Sequence, residues 1–422
     1  MAWLRRLVFW VGAISTGAVA VAFAHGADEA QALFRTLTER SAVWAFAAPP
    51  LGLALIVWLT NRFFFEARGS GIPQTIAALH LHPGDTRDRL LSLRNAAGKF
   101  FLTIGALACG ASVGREGPTV QIGAAIMHSL GRAVRLPAAG VSRGLILAGG
   151  AAGVAAAFNT PLAGVVFAIE ELSRSFEQKT SGIIFAAVIL AGITSIALVG
   201  NYAYFGSTTA LLAHIQDWVV VPVCGIAGGL AGGVFARGML VLRRSVPHLI
   251  ANVRWLNPIT VALACGVILA ALGWLSDGTT FGTGYEQARE LLQQETLPNP
   301  WYALEKFAAT LVSYAAGIPA GIFAPSLAVG AGLGGLISMT TDAAPVGAVV
   351  VLTMAAYFAG VVQAPLTALV IVSEMVGERA LTLPLMAAAF VGRGSSALVC
   401  RESLYLSLSK SFLGTRQLQH VA

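Results

Sequence analysis

The sequence predicts an all-α polytopic membrane protein made of two duplicated halves. Three observations carry this: an apolar composition that no soluble surface accommodates, a string of segments long enough to cross a bilayer, and an ordered internal repeat. Residues of the AVILMFWYC set make up 56% of the 422, a further 47 are glycine, and 11% are charged. Soluble domains hold about 45–50% apolar residues with glycine included, and about 25% charged ones. Polar groups this sparse cannot cover a globular surface, which excludes a secreted domain, a disordered chain and a typical cytoplasmic enzyme. The mean hydropathy of +0.74 agrees.

A helix needs about 20 apolar residues to span. Segments that meet or approach this lie near 7–25, 42–65, 141–170, 182–205, 217–242, 258–276, 303–318, 344–375 and 380–400. The first has the look of a secretory signal: Arg5-Arg6, an apolar run from Leu7, then Ala22-Phe23-Ala24. In a chain that spans many times it is expected to stay as an uncleaved insertion signal. Three segments are too short or too interrupted to span. Residues 100–113 stop at Gly114, 119–131 start after Pro118, and 322–340 start after a Gly/Pro-rich break. Backbone broken at that depth is tolerated only where protein buries it or where it lines a cavity. Polar connectors are expected at 80–95, 173–181, 206–216 and 277–300. A short tail, 409–422, closes the chain, and no C-terminal regulatory domain is expected.

The net charge is +7, from 27 basic and 20 acidic residues. The arginines of Arg5-Arg6, Arg87-Asp88-Arg89 and Arg243-Arg244 are expected in short loops, as topology determinants beside anionic lipid. They form no nucleic-acid stripe. Cys109, Cys224, Cys265 and Cys400 lie far apart in apolar runs and read as packed thiols, with no disulfide frame and no metal site.

The repeat has three ordered matches. Gly69–Gln74 (GSGIPQ) pairs with Gly282–Gln287 (GTGYEQ), Gly114–Ala124 (GREGPTVQIGA) with Gly321–Ala331 (GIFAPSLAVGA), and the surroundings of Pro161 with those of Pro365. Each of the last two prolines is followed by a glutamate at the same distance, Glu170 or Glu374. The boundary falls near residue 210. Hydropathy alone leaves open whether the halves are parallel or inverted.

The breaks Gly69–Pro73, Gly114–Pro118 and Gly321–Pro325 place proline where a first helical turn tolerates it, and glycine where backbone must approach a ligand. They describe helix starts whose free N–H groups point into a cavity, which is an anion site. Partial charges hold an anion strongly enough to enter and weakly enough to leave. Ser70 and Tyr405 offer hydroxyl donors, and backbone amides near Glu116, Ile322 and Phe323 complete the shell. Glu116 lies at one of these helix starts. A membrane-buried carboxylate is a functional candidate by default. Ionised, it is itself an anion and can fill the site; protonated, it loses that attraction. One carboxylate thereby couples proton binding to anion binding. Of the adjacent pair Glu170 and Glu171, one is expected to look inward and one toward water. Glu171, followed by Leu172-Ser173-Arg174, is the candidate for proton access, and Glu374 is expected to be structural. Gly330–Gly335 fits GxGxxG but follows no strand and reads as a close-packing stripe. No nucleophile arrangement and no HExxH occur, so no catalytic residue, metal or cofactor is expected. An enzyme using Glu116 with Glu170 or Glu171 as an acid pair is the rival of another class.

GSGIP, GREGP and GIFAP in this order, with a C-terminal tyrosine, resemble the CLC chloride channel and transporter family. The likeness extends through AAAFNTPLAGVVFAIEE and QAPLTALVIVSEM and covers the chain from about residue 40. The resemblance implies two inverted-topology halves of broken, tilted helices, about 1–210 and 211–408, in one membrane domain. It also implies a homodimer with one pathway per subunit, in the cell inner membrane. The anion-binding set it implies is Ser70, Gly71, Ile72, Arg115, Glu116, Gly117, Ile322, Phe323 and Tyr405. Glu116 would be the external gating residue and Glu171 the internal proton-transfer residue. An acid at 171 points to a chloride/proton antiporter, with a passive voltage- or pH-gated channel as the alternative. Retention of GSGIP and Tyr405 argues against fluoride, and Ser70 argues against nitrate. The stretch around His80–Leu91 is longer than in familiar bacterial members.

Overall fold

The computed structural model describes residues 2–413 apart from 83, 136–138, 174–177, 201–203, 207, 209, 295–298, 342 and 378–379. Arg174 and residues 414–422 of the expected tail therefore lie outside the described residues. In chain order the first half holds α1 (Ala2–Arg40), α2 (Ala42–Phe63), α3 (Ile72–His80), α4 (Asp85–Leu90), α5 (Leu93–Ala108), α6 (Glu116–Ala133), α7 (Ala139–Phe158), α8 (Pro161–Phe167) and α9 (Gln178–Val199). The second holds α10 (Val220–Asn252), α11 (Pro258–Leu275), α12 (Tyr285–Gln294), α13 (Tyr302–Ala315), α14 (Phe323–Ser338), α15 (Val346–Val362), α16 (Pro365–Val376), α17 (Thr382–Val399) and α18 (Leu404–Ser409). Seven helices among the described residues are long and apolar enough to cross a membrane. The protein is polytopic and built of helices that differ widely in length.

Several elements depart from the expected segments, each for a local reason. The first span runs on as one helix of 39 residues, about 58 Å at 1.5 Å per residue. That exceeds the hydrocarbon core of about 30 Å, so the helix tilts or projects. The Ala22–Ala24 stretch lies inside it, and Phe23 is buried against Phe100. The expected connector at 277–300 contains α12, and that at 80–95 contains α4. The longer stretch around His80–Leu91 thus folds into a helix braced on the end of α6. Asp88 pairs with His128 and with Arg132, both at 2.9 Å, and Gln121 Nε2 donates to Leu90 O at 2.8 Å.

The expected continuous spans 141–170 and 344–375 are each broken. Asn159 and Gln363 take left-handed backbone, φ 56° and 63°. Thr160 and Ala364 follow with nearly identical angles (φ −128°, ψ 82° and φ −124°, ψ 83°). Pro161 and Pro365 then restart the chain, because a residue before proline is driven out of the α region. The two short helices made this way cap one another. Glu374 accepts from the Leu162 and Ala163 amides (3.1 and 2.7 Å), and Glu170 accepts from the Leu366 and Thr367 amides (3.2 and 2.6 Å). Glu170, partly exposed, serves the first turn of α16, and Glu374 serves that of α8; Glu171, expected on the water side, is the buried member of the pair. Past α8 the chain adds a π-helical turn, Ala168–Ser173.

The centre is α15, buried on every side from Gly347 to Val362, as befits a helix apolar all round. Glycine stripes bring its neighbours close. Gly228 and Gly232 of α10 face α15, Gly229 and Gly233 face α17, and Gly330 and Gly334 of α14 lie against the α15 backbone. The 330–335 stripe is thus a packing surface. All four cysteines are free thiols.

Candidate anion and proton site

The three glycine breaks, far apart in sequence, meet in one place. Gly69 and Ile318–Ala320 exchange backbone bonds, Gly69 N to Ile318 O and Ala320 N to Gly69 O, both at 3.1 Å. Gly114 and Gly321 exchange another pair at 2.7 and 3.0 Å. These bridges bring the starts of α3, α6 and α14 together, with Gly71, Arg115 and Ile322 as the residues preceding each first turn. Gly71 has φ 103°, a conformation closed to most side chains, and a methyl group on it would meet Gly117 O at 2.7 Å. A methyl on Gly117 would in turn strike Ser70, its carbonyl oxygen at 2.9 Å. The site is as narrow as it is because both positions lack a side chain.

Two hydroxyls face this junction. Ser70 Oγ and Tyr405 Oη are buried and close to each other, and among the described residues neither makes a hydrogen bond of good geometry. A buried hydroxyl without a partner is costly, and a bound anion would satisfy both donors. The Tyr405 ring lies against Phe323, with centroids 5.9 Å apart. Phe323 is enclosed further by Phe158, Phe167 and Phe358. Phe323 thus gives the site both a first-turn position of α14 and an apolar wall.

The Glu116 carboxylate is fully buried between the starts of α6 and α14. Its Oε2 faces the Ala324 amide at 3.4 Å, and its Oε1 accepts from the Tyr285 hydroxyl. Arg115 turns its side chain the other way. Its guanidinium donates to Ala24 O and Asp28, both at 2.6 Å, and to the Tyr204 hydroxyl. Only the backbone of Arg115 is left to face the junction. Glu171 is buried, 1% exposed, in the π-helical turn. Ser403 Oγ reaches its Oε1 at 3.5 Å, which links it to the segment leading into Tyr405.

Two buried lysines hold the glycine loops. Lys99 donates to Gly69 O at 2.9 Å, and Lys306 donates to Thr280 O and Gly282 O at 2.8 Å each. Gly69 and Gly282 are repeat partners, and so are the helices bearing the lysines in their order along the chain. Two cavities approach the junction. One, of about 390 Å³, ends at Gly69, Ser70 and Pro73 and carries Arg68 and Arg243. The other, of about 890 Å³, ends at Arg115, Tyr204 and Tyr285 and is rich in acids, among them Asp28, Glu286 and Glu290. Among the described residues no cluster of His, Cys, Asp and Glu could hold a metal ion.

The expected anion-site residues Ser70, Gly71, Ile72, Glu116, Gly117, Ile322, Phe323 and Tyr405 come together here, with Glu171 set apart toward Ser403. Ala324, Tyr285, Tyr204, Asp28 and the two lysines were not singled out from sequence. Tyr285 had a signal: it lies in Gly282–Gln287, the repeat partner of the loop that carries Ser70.

Residues 52–397 match the family described as voltage gated chloride channel. The H(+)/Cl(-) exchange transporter ClcA of Vibrio campbellii (strain ATCC BAA-1116) is 31% identical over 348 residues, 78% of this chain and 71% of that protein. The protein of the same name from Vibrio parahaemolyticus serotype O3:K6 (strain RIMD 2210633) is 31% identical over 346 residues, with the same two shares. A slow cyanobacterial Cl-/H+ antiporter has a similar structure, with TM-score 0.84, 22% identity, and 98% of this chain and 99% of that one covered. A CLC-type fluoride/proton antiporter follows at TM-score 0.79 and 23% identity, covering 93% of this chain and 95% of that one. These two structures are similar in fold. With the family matched over most of its length, the chain belongs to the voltage gated chloride channel family and has the CLC transporter fold.

Proposed function

We propose that this chain is a secondary active transporter that exchanges chloride for protons across the cell inner membrane. The observation that carries this is the Glu116 carboxylate, buried between two helix starts. An ionised carboxylate there is a tethered anion, stabilised by the same first-turn amides and dipole ends that would hold chloride. When it takes up a proton it gives up that stabilisation, leaves, and frees the place for chloride. Ser70 and Tyr405 supply the inner pair of donors, with backbone of Gly71, Ile72, Gly117, Ile322 and Phe323 around them. Glu171 supplies a second acid beside Ser403, and the inward proton route runs through it. The 31% identity to two ClcA exchangers supports antiport over a passive channel.

The Ser70 cavity carries arginines and no acid, whereas the Tyr285 cavity is acid-rich. The membrane domain reads as two inverted halves, about 1–210 and 211–408. Chloride, protons and lipid are its partners, and a second copy of the chain completes it.

The deciding experiment is proton movement in proteoliposomes under a chloride gradient, with voltage clamped by potassium and valinomycin. Protons driven uphill by chloride establish exchange, whereas chloride flux without them makes the protein a channel. Glu116→Gln is expected to abolish proton coupling while chloride still moves; coupled protons in that variant would overturn the role given to Glu116.

A further inference from the structure

Helix ends are only part of what holds Glu116. Its Oε1 accepts from Tyr285, the first residue of α12, which is 9% exposed. The Tyr285 ring lies on that of Tyr204, centroids 4.2 Å apart, and against Phe205 at 5.4 Å. The Arg115 guanidinium stands over both tyrosines, 5.5 Å from the Tyr204 ring and 5.9 Å from that of Tyr285. That guanidinium is itself fixed by Ala24 O, Asp28 and the Tyr204 hydroxyl. The phenol is therefore clamped by stacking and by a cation–π frame. It cannot follow the carboxylate inward or outward, so its bond exists only while Glu116 is where the structure shows it.

We infer that Tyr285 is a positioning residue for the gate: its hydroxyl latches the Glu116 carboxylate in the outer anion position and so sets how strongly the gate competes with chloride there. The inference rests on the reading of Glu116 as the gate. A hydrogen bond to a charged acceptor is about twice as strong as a neutral one, so the ionised gate gains most from the latch. Chloride can take the outer position only after that bond breaks. Tyr285→Phe deletes one oxygen and keeps the ring on Tyr204, Phe205 and Arg115. Loss of a charge-assisted bond changes an equilibrium by roughly tenfold to a hundredfold, and the displaced carboxylate recovers part of that in water.

The test is chloride titration by calorimetry on the purified full chain at neutral pH. Four proteins are compared: wild type, Tyr285→Phe, Glu116→Ala and the double variant. Tyr285→Phe is expected to tighten chloride binding about tenfold. With the gate gone, in the Glu116→Ala background, the same change is expected to alter affinity less than about twofold. An equal change in both backgrounds would mean that Tyr285 shapes the anion site itself, and no change in either would mean that it latches nothing; both overturn the inference. If Glu116→Ala alone binds chloride no more tightly than wild type, the gate reading fails, and that is seen without any tyrosine variant. Should Tyr285→Phe not fold, Tyr204→Phe removes one hydroxyl from the frame and is expected to shift affinity in the same direction. Unaltered affinity there would likewise overturn the latch.

Discussion

Glu116 and Glu171 are both buried acids, yet their surroundings give them different work. Glu116 sits among amides and a phenol at the meeting of three helix starts. Glu171 sits in a π-helical turn, touched by Ser403, the residue that precedes the short helix α18. A group placed like Glu171, apart from the meeting of the three glycine-bearing helix starts, can pass a proton without competing for the anion site. Glu171→Gln is thus expected to stop proton movement and leave chloride flux within about threefold of wild type, because only the titrating group is lost. Joint loss of both fluxes in a folded variant would make Glu171 structural. Glu116 was legible in the sequence because a carboxylate beside Gly and Pro in an apolar run is expensive and therefore conspicuous, and Glu171 because it closes an apolar run. Tyr285 was not, since a tyrosine in a polar connector carries no such penalty. Its partners at 115, 116, 204 and 205 become neighbours only once the chain folds.

Among the elements, the hidden breaks at 159–160 and 363–364 matter most. Hydropathy sums side chains and ignores backbone, so one left-handed residue inside an apolar run leaves it unchanged. The prolines at 161 and 365 were visible, but a membrane helix tolerates proline, and only the matching angles show a restart. Each restarted helix leaves amides that need acceptors, and Glu170 and Glu374 supply them across the repeat. Glu374→Ala removes both acceptors of α8. It is expected to lower stability by about 0.5–2 kcal/mol, the usual cost of a lost cap, and Glu170→Ala is expected to do the same for α16. Neither is expected to change the ratio of protons to chloride. Thermal unfolding of the two variants beside a coupling measurement checks this, and altered coupling at unchanged stability would sink the capping role.

For the molecule as a whole, the apolar faces left uncovered are informative. Leu162 at the start of α8 is 61% exposed and Leu366 at the start of α16 is 44% exposed; Ile189 and Ile193 of α9, which packs on α8, and Leu383 and Phe390 of α17, which packs on α16, are exposed too. Helix starts capped by partly buried carboxylates at such a face are poorly suited to lipid, where an ionised side chain is costly. A second copy suits them better, so the purified protein is expected to be a dimer joined here. Trp substituted for Leu162 together with Leu366 should yield monomers on light scattering, and an intact dimer would place the interface elsewhere. Duplication and helix starts were readable from the sequence. The choice of this face was not, because lipid and protein ask for the same residue types. The crossed glutamate caps carry a further consequence. Each half of the chain holds the finishing piece of the other, so neither is complete by itself, and the two behave as partners that happen to share a peptide bond. Damage near 374 should loosen the chain first around 162, in the opposite half, so the place where a lesion is felt need not be the place where it lies.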